Sequence, residues 1–468
     1  MKISDRSTVE IDSAKCGLRP SQFNEYLGNI IDEKWVLYNN LSGAMIEVNK
    51  RIYDFIRDGV IHDIDSEKTI ETLKYGKFIV ENAIDEIGVI KKLKNDVVQS
   101  VPVIGLQIVP TLGCNFGCIY CYQSGREKEK VIMSKEVMDA IIEYTRQKIE
   151  PTTQFLNVLW FGGEPLLAID QIKYLSQSFI EITASKKMKY FSGIITNGYL
   201  LHESNIDILL KSKINYCQVT IDGLEDIHDK RRMLKGGGKT WRTIMENIQA
   251  AVSKGMTINV RINIDQTNVD TITDLSKELE KRQILDKIAL TIGKVTIYGD
   301  TCKSIEDTIL TTSETEKVLN QEDIKKMMEK TAYEVTRIVP DFVGCVASAR
   351  HSFIVGPKGE LYKCTKTVGI ETERWGDIFS PDFEHPHFTR WVTVDNLGVE
   401  KCRKCSMVPL CQGSGCAFQV LVEKRDIAAC EQGKIHTNYL DRLKTLYFKK
   451  QVNPDKDKLN EGGPHGRN

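Results

Sequence analysis

Between residues 101 and 310, six short runs rich in β-branched residues alternate with longer amphipathic stretches, and that alternation leaves few folds open. The runs are Val103 to Val109, Leu156 to Phe161, Gly193 to Thr196, Tyr216 to Ile221, Ile258 to Ile264 and Ile288 to Val295. The amphipathic stretches lie near 134–149, 168–185, 203–212, 240–254 and 270–282. Strands separated by helices pair in parallel, so the pattern predicts βα units closing into a partial barrel or an open sheet. Ligands in such folds sit at the carboxyl ends of the strands. The unusual residues fall there: Cys114, Cys118 and Cys121 after the first strand, Gly162-Gly163-Glu164-Pro165 after the second, Thr196-Asn197-Gly198 after the third, and Thr220-Ile221-Asp222-Gly223 at the fourth.

The first of these stretches packs three thiols into eight residues. A structural zinc site takes four ligands in two separated pairs, whereas three thiolates in one loop suit an iron–sulfur cluster that keeps one iron open. The chain has 13 cysteines, a basic and acidic balance of 64 to 64, no apolar signal sequence in Met1 to Ser7, and no apolar run long enough to span a bilayer. A zero net charge gives no global reason for nucleic acid or an anionic membrane as partner. The reading is a cytoplasmic protein whose clustered thiols bind metal rather than form disulfides.

Composition divides the rest. Residues 1–95 are expected to form a small α+β unit: a hairpin from Trp35 to Val48 across an Asn/Ser/Gly turn, a helix from Asn49 to Arg57, another from about Asp65, a short strand near Gly76 to Val80, and a helix from Asp85 to Lys94. Either it is a simple cap, or a winged-helix-like module that offers a sheet edge to an extended peptide. The segment 311–340 has helical period and is expected to be a linking helix. From 341 to 435, Cys345, Cys364, Cys402, Cys405, Cys411, Cys416 and Cys430 accumulate with few apolar runs, so little core and stabilisation by metal are expected. Residues 436–468 are read as a C-terminal helix and a flexible tail, polar and Gly-rich after Pro454.

The spacing Cys114-x3-Cys118-x2-Cys121, with the aromatic Tyr120 before the last cysteine, resembles the radical S-adenosylmethionine superfamily. That resemblance implies a [4Fe–4S] cluster whose open iron is chelated by S-adenosylmethionine, together with an electron donor such as flavodoxin or ferredoxin. Gly162, Gly163 and Glu164 resemble the superfamily's glycine-rich motif, which places backbone carbonyls and a carboxylate by the methionine ammonium. Thr220 and Arg232 match positions that contact the cosubstrate in related maturases; Arg231 is the alternative to Arg232, and a solvated surface charge is the plain reading of either. Asn197 and the Arg261-Ile262-Asn263 strand end are further candidates for the pocket.

The C-terminal cysteines resemble the SPASM extension, which carries two auxiliary iron–sulfur clusters. By that pattern Cys345, Cys364 and Cys416 would hold the first, and Cys402, Cys405, Cys411 and Cys430 the second. Cys16, Cys217 and Cys302 are left as ordinary thiols. The spacing between Cys411 and Cys416 is one residue longer than usual. His351 stands where a fourth cysteine is common, so it is a ligand, a packed neighbour, or the mark of an open iron. Thr365 replaces the aspartate of sulfatase-maturing relatives.

The resemblance therefore implies a partial (βα)6 radical SAM barrel at 101–310, a winged-helix-like peptide-recognition module, and a SPASM domain. The expected activity is modification of a ribosomal precursor peptide, its leader bound by the N-terminal module, by Cys thioether crosslinking through a 5′-deoxyadenosyl radical. The alternatives are a carbon–carbon crosslink, epimerisation, formylglycine formation, or a non-catalytic iron–sulfur or zinc protein that binds peptides or carries electrons.

Overall fold

The computed structural model describes residues 17–31, 33–61, 64, 66–99, 102–126, 131–297, 303–331, 340, 345–394, 396–411, 413, 416–424 and 439–452. Cys16, Cys302, Cys430 and the tail after Pro454 lie outside them. No helix among the described residues is long and apolar enough to cross a membrane.

The first 80 or so described residues build strand β1 (Leu18–Pro20), an antiparallel sheet of β2 (Asn24–Ile31), β3 (Lys34–Asn39) and β4 (Met45–Val48), helices α1 (Lys50–Asp58) and α2 (Glu67–Tyr75), strand β5 (Ile79–Glu81) paired with β1, and helix α3 (Glu86–Gln99). Side-chain caps start the first two helices: Asn49 accepts from the amide of Ile52, and Ser66 from that of Thr69. Gly59, at φ 79°, ends α1 in the left-handed region that glycine enters without strain. Residues alternate across β3, yet Val36, Leu37 and Tyr38 are all buried, because the sheet is covered on both faces. Leu37 packs with Tyr53, Ile56, Leu73 and Phe78. Val36 and Tyr38 pack with Met407, Leu410, Tyr439, Leu443 and Tyr447, the last three on the C-terminal helix Tyr439–Val452.

The central sheet has nine strands. Six are parallel and in sequence order: β6 (Val103–Ile108), β7 (Phe155–Trp160), β8 (Lys189–Thr196), β9 (Ile214–Thr220), β10 (Thr257–Ile264) and β11 (Ile288–Lys294). Between them run α4 (Lys135–Lys148), α5 (Ile169–Ser185), α6 (Glu203–Lys211), α7 (Glu225–Arg231), α8 (Trp241–Ser253) and α9 (Ile272–Lys281). The chain is thus an α/β fold with a mostly parallel sheet, consistent with a partial barrel. The aliphatic residues of one strand face, such as Ile104, Leu106, Leu156, Val158, Ile258, Val260 and Ile262, form one core with the covering helices. The opposite face is polar toward the end of the barrel, with Gln218, Asn259, Arg261 and Asn263. Strand β8 starts earlier than its hydrophobic run suggests, since Lys189 to Phe191 pair in register with Phe155 to Asn157. The seven-residue α7 has too short a period to show in the sequence.

Two expectations about the later chain need correction. The segment 311–340 is not one linking helix: it forms α10 (Thr312–Leu319) and α11 (Glu322–Glu329), separated where Gln321 adopts extended backbone, and residues 332–339 lie outside the described set. Val318, Ile324 and Met327 join the barrel core, so the pair covers the barrel instead of spanning away from it. Nor is the cysteine-rich segment poor in core. Strands β12 (Ser352–Val355), β13 (Glu360–Tyr362) and β14 (Gly376–Asp377) extend the barrel's own sheet through a parallel pairing of β12 with β6. Trp375 is wedged among Phe353, Phe383 and Phe388 at ring distances of 5.6, 5.5 and 4.8 Å. A few large aromatic rings supply what long apolar runs do not.

Asn40, fully buried in the hairpin turn, joins three parts of the chain. Its amide nitrogen donates to Glu25 (3.0 Å) and to the carbonyl of Ser406 (2.9 Å), while its side-chain oxygen accepts from the Tyr439 hydroxyl. Asn40→Ala removes these bonds and strands buried partners, so a loss of about 1–3 kcal/mol is expected, read from chemical denaturation. Midpoints equal to those of the unsubstituted protein would show the hub to be dispensable.

Candidate active site

The loop after β6 carries the first three thiols and is fixed by backbone bonds on two sides. The amides of Gly117 and Ile119 donate to the carbonyls of Met233 and Arg231 (2.9 and 3.1 Å), and that of Lys235 donates to Asn115 (2.9 Å). On the other side, the amides of Gly163 and Glu164 donate to the carbonyls of Thr111 and Gly113 (3.2 and 2.8 Å). This contact requires glycine: a Cβ on Gly163 would strike the carbonyl oxygens of Leu112 and Gly113, and one on Gly162, at φ 150°, that of Thr111. The two glycines let the end of β7 lie against the loop's main chain.

Glu164 is wholly buried, and burial raises its pKa against the bonds that favour the carboxylate. Those bonds come from the Asn197 amide (2.7 Å), the Thr196 hydroxyl (2.7 Å) and the Leu166 amide (2.9 Å). The carboxylate therefore ties the ends of β7 and β8 together. Asn197 in turn donates to Asn115 (2.7 Å), and its side-chain nitrogen lies 4.0 Å from Cys114 Sγ.

All three thiols are partly exposed and lie within reach of one another's charge. Burial pushes the Cys114 thiol up to about 12 and raises that of Cys118 as well. Metal coordination reverses this, because a ligating thiol is deprotonated outright. Among the described residues no three His, Cys, Asp or Glu side chains are spaced to chelate a single ion. Three thiols in one loop are a donor set that would suit a multi-iron cluster with one iron open.

Beside them lies a buried charge network that distinguishes two neighbouring arginines. Arg231 bonds Asp265 through one nitrogen (2.9 and 2.7 Å to the two oxygens), Asp222 (3.3 Å), the Thr267 hydroxyl (2.6 Å) and the Asn263 carbonyl (3.2 Å), so it is committed to the fold. Arg232 donates to the Tyr120 hydroxyl (2.7 Å), which donates to Asp222 (2.5 Å). Burial pulls the Arg232 pKa down, but Cys118, Tyr120 and Asp222 outweigh it and hold the guanidinium charged. Its Nε is buried and finds no acceptor among the described residues. A buried donor on a cation next to Cys118 is a place for a carboxylate, and it fits the carboxylate of S-adenosylmethionine. Thr220, the last residue of β9, is buried in register with Arg261 at the same strand end.

Asp265 and His228 were not singled out from the sequence. Asp265 follows the last residue of β10, so the rule that pointed to Asp222 reaches it too. His228, fully buried, accepts from the Asp222 amide (3.3 Å), and burial holds its pKa well below the usual range, with both arginines adding to the shift.

Cys345, Cys364 and Cys416 form a second group within one another's field, with Lys366 Nζ 3.5 Å from Cys416 Sγ. His351 faces Glu150, Arg350, Lys148 and the Gln99 backbone, and burial lowers its pKa. Cys402 and Cys405 lie against the N-terminal unit: Cys402 packs with Phe23, Leu41 and Ile90, and Cys405 packs against that apolar group and against the one that holds Leu27, Val36 and Tyr38, while Cys411 ends the short helix Val408–Cys411.

Residues 108–279 match the family description "Radical SAM superfamily". This segment is a radical SAM domain. The chain is 24% identical over 379 residues to the serine-type anaerobic sulfatase-maturating enzyme of Bacteroides thetaiotaomicron, covering 72% of this chain and 86% of that enzyme. Other curated relatives match over less, down to 40% of the relative's length. Native anSMEcpe with bound AdoMet superposes with a TM-score of 0.59 at 18% identity, covering 75% of this chain and all of that one. Streptococcus suis SuiB bound to precursor peptide SuiA superposes with a TM-score of 0.52 at 15% identity, covering 88% and 98%. The protein accordingly carries a radical SAM domain, and that superfamily implies a [4Fe–4S] cluster and S-adenosylmethionine.

Gly163→Ala forces the cysteine loop off the end of β7. The variant should lose most of the iron bound at this loop, measured as iron and sulfide content after anaerobic reconstitution of a chain whose C-terminal cysteines are replaced. Full iron content would mean that the contact is not needed to shape the loop.

Proposed function

We propose that this radical SAM enzyme modifies a ribosomally made precursor peptide by joining a cysteine sulfur to a carbon of another residue. The observation that carries the reading is the pairing of two thiol groups: the loop thiols beside the unpartnered Arg232 donor, and the separate Cys345, Cys364 and Cys416 group. When bound, the first cluster supplies one electron that cleaves S-adenosylmethionine to methionine and a 5′-deoxyadenosyl radical. In this reading Cys114, Cys118 and Cys121 hold that cluster, and Arg232 receives the cosubstrate carboxylate. Asn197, Thr220, Tyr120, Gly162, Gly163 and Glu164 shape the cavity, the last three through the loop they support. Cys345, Cys364 and Cys416 hold the first auxiliary cluster. The second takes Cys402, Cys405 and Cys411 with Cys430, which lies outside the described residues.

Hydrogen abstraction from a peptide carbon leaves a carbon radical. Bond formation to the cysteine sulfur would release the thiol proton and one electron, which auxiliary clusters held by the C-terminal thiols would accept. The peptide thus loses two hydrogens per thioether. Thr365, in place of an aspartate base, favours this over oxidation to formylglycine. A flavodoxin or ferredoxin would supply the initiating electron, and the cytoplasm would keep the thiols reduced.

The N-terminal unit is the proposed leader site. Both β2 and β4 end their sheet, but β2 carries register shifts between Tyr26 and Gly28 and between Asn29 and Ile31 that disfavour another strand. Strand β4 is regular in its pairing and is the edge on which an extended peptide would add.

Two experiments test the reading. Replacing Cys114, Cys118 and Cys121 together by alanine should abolish 5′-deoxyadenosine formation while the C-terminal thiols still bind iron; persistent cleavage would mean another centre cleaves the cosubstrate. Co-expression with a Cys-rich precursor encoded nearby should yield a product two hydrogens lighter per crosslink and protected from alkylation at that cysteine. A product with free thiols would rule out the thioether.

A further inference from the structure

Two basic residues connect the thiol groups, and neither belongs to either set. Arg126 lies five residues beyond Cys121, its guanidinium 5.6 Å from the centre of the Tyr122 ring. One of its nitrogens donates to two carbonyls beyond Cys364, those of Lys366 (2.6 Å) and Val368 (3.0 Å). The charges of both Cys121 and Cys364 reach it. The turn it grips is tight: Thr367 donates back to the Cys364 carbonyl through its amide (3.0 Å) and hydroxyl (2.8 Å). Gly369, at φ 82°, brings the chain against Leu112 and Arg126, where a Cβ would lie 3.3 and 3.4 Å away. With its carbonyl held, Lys366 sends its side chain the other way, over the Phe418 ring (5.4 Å) to Cys416 Sγ at 3.5 Å.

A second lysine is close by but differently placed. Lys363 is buried, and its ammonium donates to the carbonyls of Ala349 (2.6 Å) and Ser352 (2.5 Å) above the Phe388 ring. Its charge also reaches Cys345, more strongly than that of Lys366 does, but its ammonium is held by the two carbonyls, whereas Lys366 puts its ammonium within hydrogen-bond reach of the Cys416 thiol.

We propose that Arg126 and Lys366 act as a positioning pair, in which Arg126 fixes the 366–368 turn against the first cysteine loop and Lys366 thereby places an ammonium on the Cys345, Cys364 and Cys416 centre to raise its reduction potential. The inference rests on the reading that these thiols hold an iron–sulfur cluster. Reduction adds negative charge to a centre already bound by thiolates, and a cation in contact with one sulfur stabilises the reduced state more than the oxidised one. A centre that must take an electron from a product radical gains driving force from that shift.

The test uses the full chain with Cys114, Cys118 and Cys121 replaced by alanine, so that all bound iron belongs to the C-terminal centres. Midpoint potentials are measured by redox titration followed by electron paramagnetic resonance. The relevant signal is the one lost when Cys345→Ala is added. Lys366→Met should lower that midpoint, Lys366→Arg should restore most of it, and Arg126→Ala should lower it with little further change when Lys366→Met is combined with it. Loss of the cluster from Lys366→Met but not Lys366→Arg would also support the charge. An unshifted midpoint in Lys366→Met, equal shifts in the methionine and arginine variants, or equal loss of iron from both would overturn the proposal. If the parent binds no iron that depends on Cys345, the cluster reading itself fails, and that outcome is separate from the others.

Discussion

The arrangement of the mouth depends on one close backbone contact, where the end of β7 meets the first cysteine loop. Gly162 and Gly163 permit it because any Cβ would overlap carbonyl oxygens of Thr111, Leu112 or Gly113. Glu164 then secures the seam from behind, accepting from two backbone amides and the Thr196 hydroxyl in a fully buried site. A buried carboxylate with three donors is costly to disturb, since each lost bond leaves an unsatisfied partner in low dielectric. Loop, strand ends and Asn197 are therefore set as a unit.

The opposite wall is electrostatic. Asp222 and Asp265 fix Arg231, and Asp222 also orients Tyr120, whose hydroxyl holds Arg232. Two adjacent arginines end with different roles: one saturated by carboxylates, the other keeping a buried donor unpartnered near the Cys118 thiol. The difference comes from the turn after α7, where Arg231 is the helix's last residue and Arg232 has left helical geometry.

Farther out, the cysteine-rich segment is bound into the rest of the molecule on two sides. Its hairpin continues the barrel sheet beside β6, and its 402–411 stretch is gripped by the N-terminal unit through Asn40, Glu25 and Gln22. Expecting this segment to hang mainly on its metals overlooked that it borrows a core from its neighbours. A count of apolar runs reports only what a segment brings, not what it packs against.

By itself the sequence determined the barrel and the position of its mouth, because strand and helix periods are local properties and strand ends are where ligands gather. Val103 to Ile108 or Thr257 to Ile264 could be read almost to the residue, and the cysteine spacing named the chemistry. Only the tertiary structure decided which arginine keeps a buried donor unpartnered, why the glycines are needed, that the 311–340 segment bends at Gln321, and that Arg126 and Lys366 stand between the thiol groups. Those outcomes depend on partners distant in the chain, such as Asp265 for Arg231 and the Lys366 carbonyl for Arg126. A local pattern fixes which residues are available; their commitments follow from which carbonyls and carboxylates the fold brings within hydrogen-bond reach.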